Sequence, residues 1–463
     1  MMDNITRQLG EEKISKLLWQ FSIPAIISTL ASSVYIIIDR IFVGQVVGAD
    51  AISGMSITMP ISFVIMAFGM LVGMGSGALV SIRLGQGKRE QAEVILGNAF
   101  TMLLIISVVV TGVLLYYLDP LLALFGASPA ILPYGRQFIS IVLMGSVFQY
   151  IGFGLSTVMR AEGNPRKAMN VVLINTGTNI ILDFLFIYIF HWGIRGAAIA
   201  TIMAQAVSAV LILVHFRSGK SVLHLHLSNM RLNPKVMRGV AAIGMAPFAM
   251  QMAASLVNTL FNKDLARYGG DAAIGAYGII GAIIMFIIMP IIGINMGAQP
   301  IIGFNYGARR YDRVLETLRK AIIAASAVVC SGFILLELFP RQFMIFFTND
   351  ASMVTIGTHG IRIIVLMLPV VGFQIVSGHF FQAIGKAPRA LVLTLLRQVI
   401  ILIPALLLLP RYFQLNGIWF SAPLADGLST LVTLLVLLPE VNYLKTKWQE
   451  SKQDHNENVM PSH

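Results

Sequence analysis

The sequence has few charged residues and almost no cysteine. Charged side chains make up 12% of its 463 residues, whereas a soluble domain usually carries about a quarter. The single cysteine, Cys330, excludes disulfide bonds within the chain and metal sites built on several cysteines. The motifs HExxH and GxSxG are absent, and the apolar segments hold no cluster of histidines and carboxylates. We therefore do not expect an enzyme.

Apolar residues are abundant instead. They make up 57% of the chain, and the mean hydropathy is +0.80. Each of the longest apolar runs can cross about 30 Å of hydrocarbon as a helix. These runs lie at about 15–46, 51–82, 93–117, 134–160, 168–190, 194–216, 236–267, 273–303, 317–339, 359–382, 390–410 and 416–443. The sequence predicts an all-α integral membrane protein with about twelve transmembrane helices.

The basic residues lie in alternate loops between the apolar runs. Examples are the clusters at 83–89, 217–238 and 309–313. The net charge of +12 is thus spread over short loops rather than over one face, which argues against nucleic-acid binding. Because Lys and Arg concentrate in cytoplasmic loops, both termini are predicted to be cytoplasmic.

The chain also contains an internal repeat. Residues 75–92 align with residues 297–314 at an offset of 222, and the same offset aligns 160–168 with 382–390. Parallel repeats of this kind build two lobes related by an axis along the membrane normal. We predict a first lobe of six helices over 1–225, a second lobe of six helices over 226–447 and a polar cytoplasmic tail over 448–463.

Ionisable residues inside apolar helices are the first functional candidates, because a charge in a bilayer costs several kcal/mol unless it faces a cavity. Asp39 lies in the first helix, with Tyr35 one turn before it. In the fifth helix, Asn175, Asn179 and Asp183 recur every four residues and form one polar stripe. Thr201 of the sixth helix lies at a depth similar to that of both aspartates.

Two carboxylates close together in a low dielectric can hold and release one proton. With the amide of Asn179 and the hydroxyl of Thr201, Asp39 and Asp183 are equally suited to ligate Na⁺ as oxygen donors. The residues do not separate these alternatives. A structural alternative pairs Asp39 with Arg40 and makes the two asparagines hydrogen-bonding residues between helices.

The second lobe lacks these groups, since Asn179 aligns with Ile401 and Asp183 with Ala405. Cation coupling is therefore assigned to the first lobe. Arg397 and Asp426 are candidates for the substrate cavity, and a structural ion pair is the alternative.

Two further features have both a functional and a packing interpretation. His379 is a titratable group on an otherwise apolar helix, where a hydrogen-bonded packing role is the alternative. Met66 and Met70, on one face of the second helix, suit a surface that adapts to different apolar ligands, and they also suit ordinary packing.

Together these residues resemble the MATE family, the multidrug and toxic compound extrusion transporters, and in particular its bacterial branches. The resemblance covers nearly the whole chain. It rests on Asp39 and the Phe-Val-Gly that follows, on the stretch from Asn179 to Asp183, on the segments beginning at Arg160 and Gln382, and on the repeated basic loops.

The resemblance implies a V-shaped, two-lobe antiporter in a bacterial plasma or inner membrane. It would export cationic amphipathic compounds in exchange for H⁺ or Na⁺, with the cation bound by Asp39, Asn179, Asp183 and Thr201. No cofactor beyond the coupling ion is expected, and the partners would be small organic cations and membrane lipids, with the monomer as the functional unit. A flippase of lipid-linked oligosaccharides, or of another lipid, in the same wider superfamily is the alternative.

Overall fold

A computed structural model describes residues 9–125, 129, 131–219, 221–347 and 350–457 of the chain. The side chains of residues 35–37, 40, 44, 49, 50, 53, 266, 271 and 451–457 lie outside this description. Within the described ranges the chain forms helices and no strand. The prediction of an all-α protein is confirmed.

The helices of the first half follow the apolar runs, since a backbone in lipid must satisfy its own hydrogen bonds. They are α1 (Ile14–Val46), α2 (Ala49–Ile57), α3 (Met59–Gly85), α4 (Arg89–Tyr116), α5 (Leu118–Leu124), α6 (Leu132–Met144), α7 (Ser146–Ala161), α8 (Pro165–Asp183) and α9 (Gly193–Arg217). A π-helical segment, Phe184–Ile189, continues α8. The pair α6 and α7 is bent by 57° where the two helices meet.

The second half repeats this order. Its helices are α10 (Pro234–Gly307), α11 (Tyr311–Leu338), α12 (Pro340–Phe347), α13 (Ala351–Ile364), α14 (Leu368–Ala383), α15 (Ala387–Leu395) and α16 (Ile403–Glu457). A non-helical residue divides α10 at Gly270 and α16 at Gln414. A π-helical segment, Leu396–Leu402, joins α15 to α16.

The number of membrane spans agrees with the prediction of about twelve. In the described part of the chain, ten helical stretches are long and apolar enough to cross a membrane, and α6 with α7 adds one more as a bent span. The last of the ten, Ala387–Glu450, contains the break at Gln414. Division at that residue gives twelve spans, one for each apolar run.

The internal repeat is visible in the helix boundaries. Helix α11 begins and ends at the positions that the repeat offset assigns to the ends of α4. Helix α14 corresponds to α7 in the same way at both of its ends. The bend between α6 and α7 has a counterpart in a short 3-10 segment, Val365–Met367, between α13 and α14. The register found in the sequence is therefore a register of helices and of helix breaks.

The chain folds into two compact units, which confirms the two-lobe architecture. One unit contains residues 23–252, and the other contains Leu9–Ser22 and the chain from Ala253 onward. The chain thus passes from one unit to the other inside α1 and again inside α10. The predicted lobe boundary at residues 225 and 226 stays a prediction, and residues 458–463 of the predicted tail lie outside the described ranges.

Two equivalent glycines fix the helix starts that cross between units. Gly75 lies so close to Val240 that a Cβ atom would come within 2.1 Å of the Val240 carbonyl oxygen. Gly297, the equivalent glycine of the second half, approaches Ser22 in the same way, at 2.5 Å from its hydroxyl oxygen. Only glycine allows such backbone contact. Each unit therefore packs the start of one crossing helix against an equivalent glycine.

Candidate cation and substrate sites

The polar stripe of α8 is buried in the first unit. Asp183 is 0% exposed and Asn179 is 1% exposed. Neither carboxylate oxygen of Asp183 has a hydrogen-bond partner among the described residues, and the same holds for both polar atoms of the Asn179 side chain. A buried polar group without a partner costs about 1–3 kcal/mol. Such a group in a folded protein therefore points to a ligand or to bound water.

Local backbone structure distinguishes the position of Asp183. It is the last residue of α8, and the backbone continues as the π-helical segment Phe184–Ile189. Short π-helical segments occur frequently at functional sites, because they turn side chains out of the regular helical register. The sequence carried no recognisable signal for this segment.

Asp39 of α1 is brought to the same region. It is 7% exposed, and its charge interacts with that of Asp183. On neighbouring turns, the ring of Phe42 lies 6.5 Å from that of Phe184 and 5.4 Å from that of Tyr188. The Tyr188 hydroxyl donates to the side-chain oxygen of Gln45 at 2.6 Å. These contacts join α1 to the end of α8 beside the two carboxylates.

Helix α9 adds oxygen atoms that sequence reasoning found only in part. The hydroxyl of Thr201 is half-buried and donates to the carbonyl of Ala197 at 3.0 Å, which leaves its lone pairs available. Further along the helix, Gln205 Oε1 and Ser208 Oγ are buried with no hydrogen-bond partner in the described part of the chain. The spacing of Thr201, Gln205 and Ser208 places them on one helical face.

The remaining candidates of the first unit have more limited descriptions. The Asn175 side-chain oxygen is buried with no partner among described residues, as in the rest of the stripe. Met66 is 36% exposed and its sulfur lies 3.9 Å from the amide nitrogen of Gln251, whereas Met70 is half-buried. The side chain of Tyr35 lies outside the described residues. The roles of these residues stay predictions.

In the second unit, Arg397 and Asp426 form an ion pair, with 2.5 Å between Nε and Oδ1. His379 is half-buried, and its Nδ1 donates to the carbonyl of Ile375 at 2.9 Å. That hydrogen bond lies within its own helix, as the packing interpretation requires. Ile401 and Ala405, which replace Asn179 and Asp183, are apolar, so no second polar stripe occurs at the equivalent positions.

A duplicated bundle of membrane helices with buried ionisable groups in its interior defines a class of protein, the secondary transporters. The chain belongs to the MatE family, whose family model matches residues 24–185 and 247–407. The second match begins and ends where the repeat offset places the limits of the first, to within one position. The family model therefore describes each half of the repeat.

Individual relatives agree with this assignment. The multidrug export protein MepA of Staphylococcus haemolyticus (strain JCSC1435) is 25% identical over 94% of this chain and 96% of its own length. MepA of Staphylococcus aureus (strain MSSA476) is 26% identical with the same coverage. Among solved structures, the MATE multidrug transporter DinF-BH in complex with rhodamine 6G is 37% identical, with a TM-score of 0.88, over 94% of this chain and 98% of that one.

A less similar solved structure supports the fold alone. It is an outward-facing multidrug resistance MATE family transporter of the MOP superfamily, 22% identical with a TM-score of 0.88 over 95% of this chain and 98% of that one. Taken together, these relationships confirm that the chain is a transporter rather than an enzyme. They also confirm a multi-pass protein of the bacterial plasma membrane.

Proposed function

We propose that this protein is a multidrug efflux antiporter that exports cationic amphipathic compounds in exchange for H⁺ or Na⁺. The observation that carries the proposal is the fully buried Asp183 carboxylate, which has no hydrogen-bond partner among the described residues and interacts with the charge of Asp39. Two buried carboxylates repel each other unless a cation or a proton neutralises them. The site is therefore suited to binding a positive charge.

The oxygen donors fit either coupling ion. A proton on one carboxylate removes the repulsion directly. Na⁺ is coordinated by oxygen atoms, and Asp39, Asp183, Asn179 and Thr201 supply two carboxylates, one amide oxygen and one hydroxyl. Thr201 retains its lone pairs because its hydrogen is directed to Ala197.

The proposed mechanism is a competition for these carboxylates. When a coupling cation neutralises Asp39 and Asp183 from outside, the electrostatic attraction for a cationic drug is lost and the drug leaves. When a drug arrives from inside, it favours the deprotonated acids and releases the cation. The two ligands therefore weaken each other's binding by the same factor, as thermodynamic linkage requires.

The relatives guide the choice of substrate. The MepA proteins are named multidrug export proteins, and the DinF-BH structure contains the cationic dye rhodamine 6G. We extend this substrate class to the present chain, with one chain as the transporting unit in its lipid bilayer and both termini in the cytoplasm.

The experiment is export of rhodamine 6G from proteoliposomes, with a pH gradient and a sodium gradient imposed separately. The expected result is export under one of the two gradients. The variants Asp39→Asn and Asp183→Asn should each reduce this driven export on the order of tenfold or more, because the coupling free energy depends on the two charges.

Asp119→Asn is the matched control. Asp119 forms an exposed ion pair with Arg136 at 3.2 Å, with 52% of the aspartate side chain accessible, so this variant should transport normally. Gradient-driven export that survives in both Asp39→Asn and Asp183→Asn would contradict the proposed coupling site. Export by the unmodified protein under neither gradient would contradict antiport itself.

A further inference from the structure

The Arg397–Asp426 pair of the second unit is incomplete as an ion pair. Only Nε of Arg397 donates to Asp426, at 2.5 Å. Neither terminal nitrogen of this guanidinium forms a hydrogen bond to any residue that the structure describes. An arginine that serves only to neutralise a buried carboxylate would usually form two parallel hydrogen bonds with it. Here the carboxylate holds the guanidinium by its side and leaves the terminal N–H groups free.

The two partners differ in exposure. The Asp426 side chain is 8% exposed, whereas that of Arg397 is 29% exposed. Arg397 lies beyond the end of α15 and well inside the apolar run 390–410. A charge at that depth faces a water-filled path rather than lipid, because exposure to hydrocarbon would cost several kcal/mol. The free N–H groups are therefore accessible to a dissolved ligand.

Backbone structure sets Arg397 apart, as it does Asp183. Arg397 lies inside the π-helical segment Leu396–Leu402. It is also the repeat equivalent of Asn175, so the repeat places it where the first unit begins its buried polar stripe. Both units thus place a polar group at this position of the repeat, and in the second unit that group carries a positive charge.

An aromatic surface lies beside the guanidinium. Tyr277 is half-buried and close enough to Arg397 for their charges to interact. Its ring stacks on Phe261, with centroids 4.8 Å apart and planes 10° apart. Trp419, which is 0% exposed, lies behind it at 6.3 Å. The Tyr277 edge and hydroxyl therefore offer a rigid, partly apolar contact next to a free hydrogen-bond donor pair.

We propose that Arg397 and Tyr277 form a substrate subsite in the second unit that binds the anionic group of an amphipathic aromatic compound, such as a carboxylate or sulfonate. Arg397 donates its two terminal N–H groups to the acid, and Tyr277 contacts the aromatic body. Asp426 positions the guanidinium and lowers the net positive charge of the subsite. This inference rests on the proposed multidrug function and extends its substrates from cations to zwitterions.

The test uses two dyes that differ in one charge. Rhodamine 19 carries a free carboxylate, and rhodamine 6G is its ethyl ester. Binding to the purified protein is measured by fluorescence polarisation without any ion gradient, so failure of antiport does not affect the result. Arg397→Gln should weaken rhodamine 19 binding by about tenfold to a hundredfold, because charged hydrogen bonds are lost. Rhodamine 6G binding should stay nearly unchanged.

Three further variants keep the test interpretable. The double variant Arg397→Gln with Asp426→Asn retains a neutral pair, so it avoids an unpaired buried charge and should show the same selective loss. Asp426→Asn alone removes the competing carboxylate and should strengthen rhodamine 19 binding. Arg411→Gln, at an exposed arginine of the same half of the chain, should change the affinity for neither dye.

Equal losses for both dyes in the double variant, or unchanged binding of rhodamine 19, would overturn the subsite and leave the multidrug proposal intact. A loss of rhodamine 19 binding in Asp426→Asn as large as that in Arg397→Gln would show that the pair is only a structural element. Failure of the unmodified protein to bind either dye would overturn both proposals.

Discussion

At the scale of single residues, buried carboxylates in this protein have two kinds of environment. Asp183 has no hydrogen-bond partner among the described residues. Glu440 is 2% exposed and lies between two cations, with Lys386 Nζ at 2.6 and 2.7 Å from its oxygens and Arg389 bonded to the second oxygen. The first environment suits a reversible ligand, and the second stabilises the fold.

We therefore expect Glu440→Gln to destabilise the protein. The change leaves two cations without their carboxylate, but Lys386 and Arg389 are 29% and 46% exposed and regain part of their hydration. The cost should be about 1–3 kcal/mol, below that of breaking a fully buried pair. A lower midpoint of thermal unfolding in detergent would be the readout.

Glu450→Gln is the control on the same helix. Glu450 is 51% exposed and pairs with Lys447 at 2.8 Å, and such surface pairs contribute little. Equal midpoints for the two variants would contradict the structural role assigned to Glu440.

At the scale of elements, the segment that links the two halves is attached to helix α4. Asn98 is 0% exposed, and its amide nitrogen donates to the carbonyls of Asn229 and Arg231, each at 3.2 Å. Its side-chain oxygen accepts from the backbone N–H of Asn233 at 2.7 Å. One buried side chain thus fixes the linker backbone at three points.

The variant Asn98→Ala should release this linker. Each backbone group left without its partner costs about 1–3 kcal/mol if it stays buried, so the segment should move into water. Trypsin sites at Arg217, Arg231 and Lys235 should then be cleaved faster under native conditions. Asn442→Ala, at an exposed asparagine of the last helix, is the control, and equal cleavage rates in both variants would contradict the attachment.

At the scale of the whole molecule, the repeat predicts how loops are distributed between the two sides of the membrane. Lys88 and Arg309 lie in equivalent basic loops, and Tyr117 and Phe339 are equivalent residues at the other ends of equivalent helices. All four are exposed. A basic loop should be cytoplasmic and the opposite end extracellular.

Single cysteines at these four positions, in a Cys330→Ser background, test the orientation. A membrane-impermeant maleimide should label Tyr117→Cys and Phe339→Cys on intact cells. Lys88→Cys and Arg309→Cys should react only after permeabilisation. The reverse pattern would invert the topology, and different sides for Lys88 and Arg309 would contradict a parallel repeat.

The sequence by itself determined the membrane class, the number of helices and the internal repeat. These features depend on hydropathy and on residue spacing, which are local properties that lipid selects directly. The helix boundaries of α4 and α11, and of α7 and α14, keep the register that the residues display. The polar stripe from Asn175 to Asp183 could be predicted for the same reason.

Only the tertiary structure decided which polar groups have partners. Glu440 binds Lys386 and Arg389, which lie far from it in the chain, and no local pattern predicts such a pairing. Gln205 and Ser208 read as ordinary polar residues until neighbouring helices bury them without hydrogen bonds to any residue described. The free terminal nitrogens of Arg397 and the π-helical segments beside Asp183 and within 396–402 are likewise invisible in the sequence. Burial and hydrogen-bond satisfaction depend on residues distant in the chain, and so only the folded protein settles them.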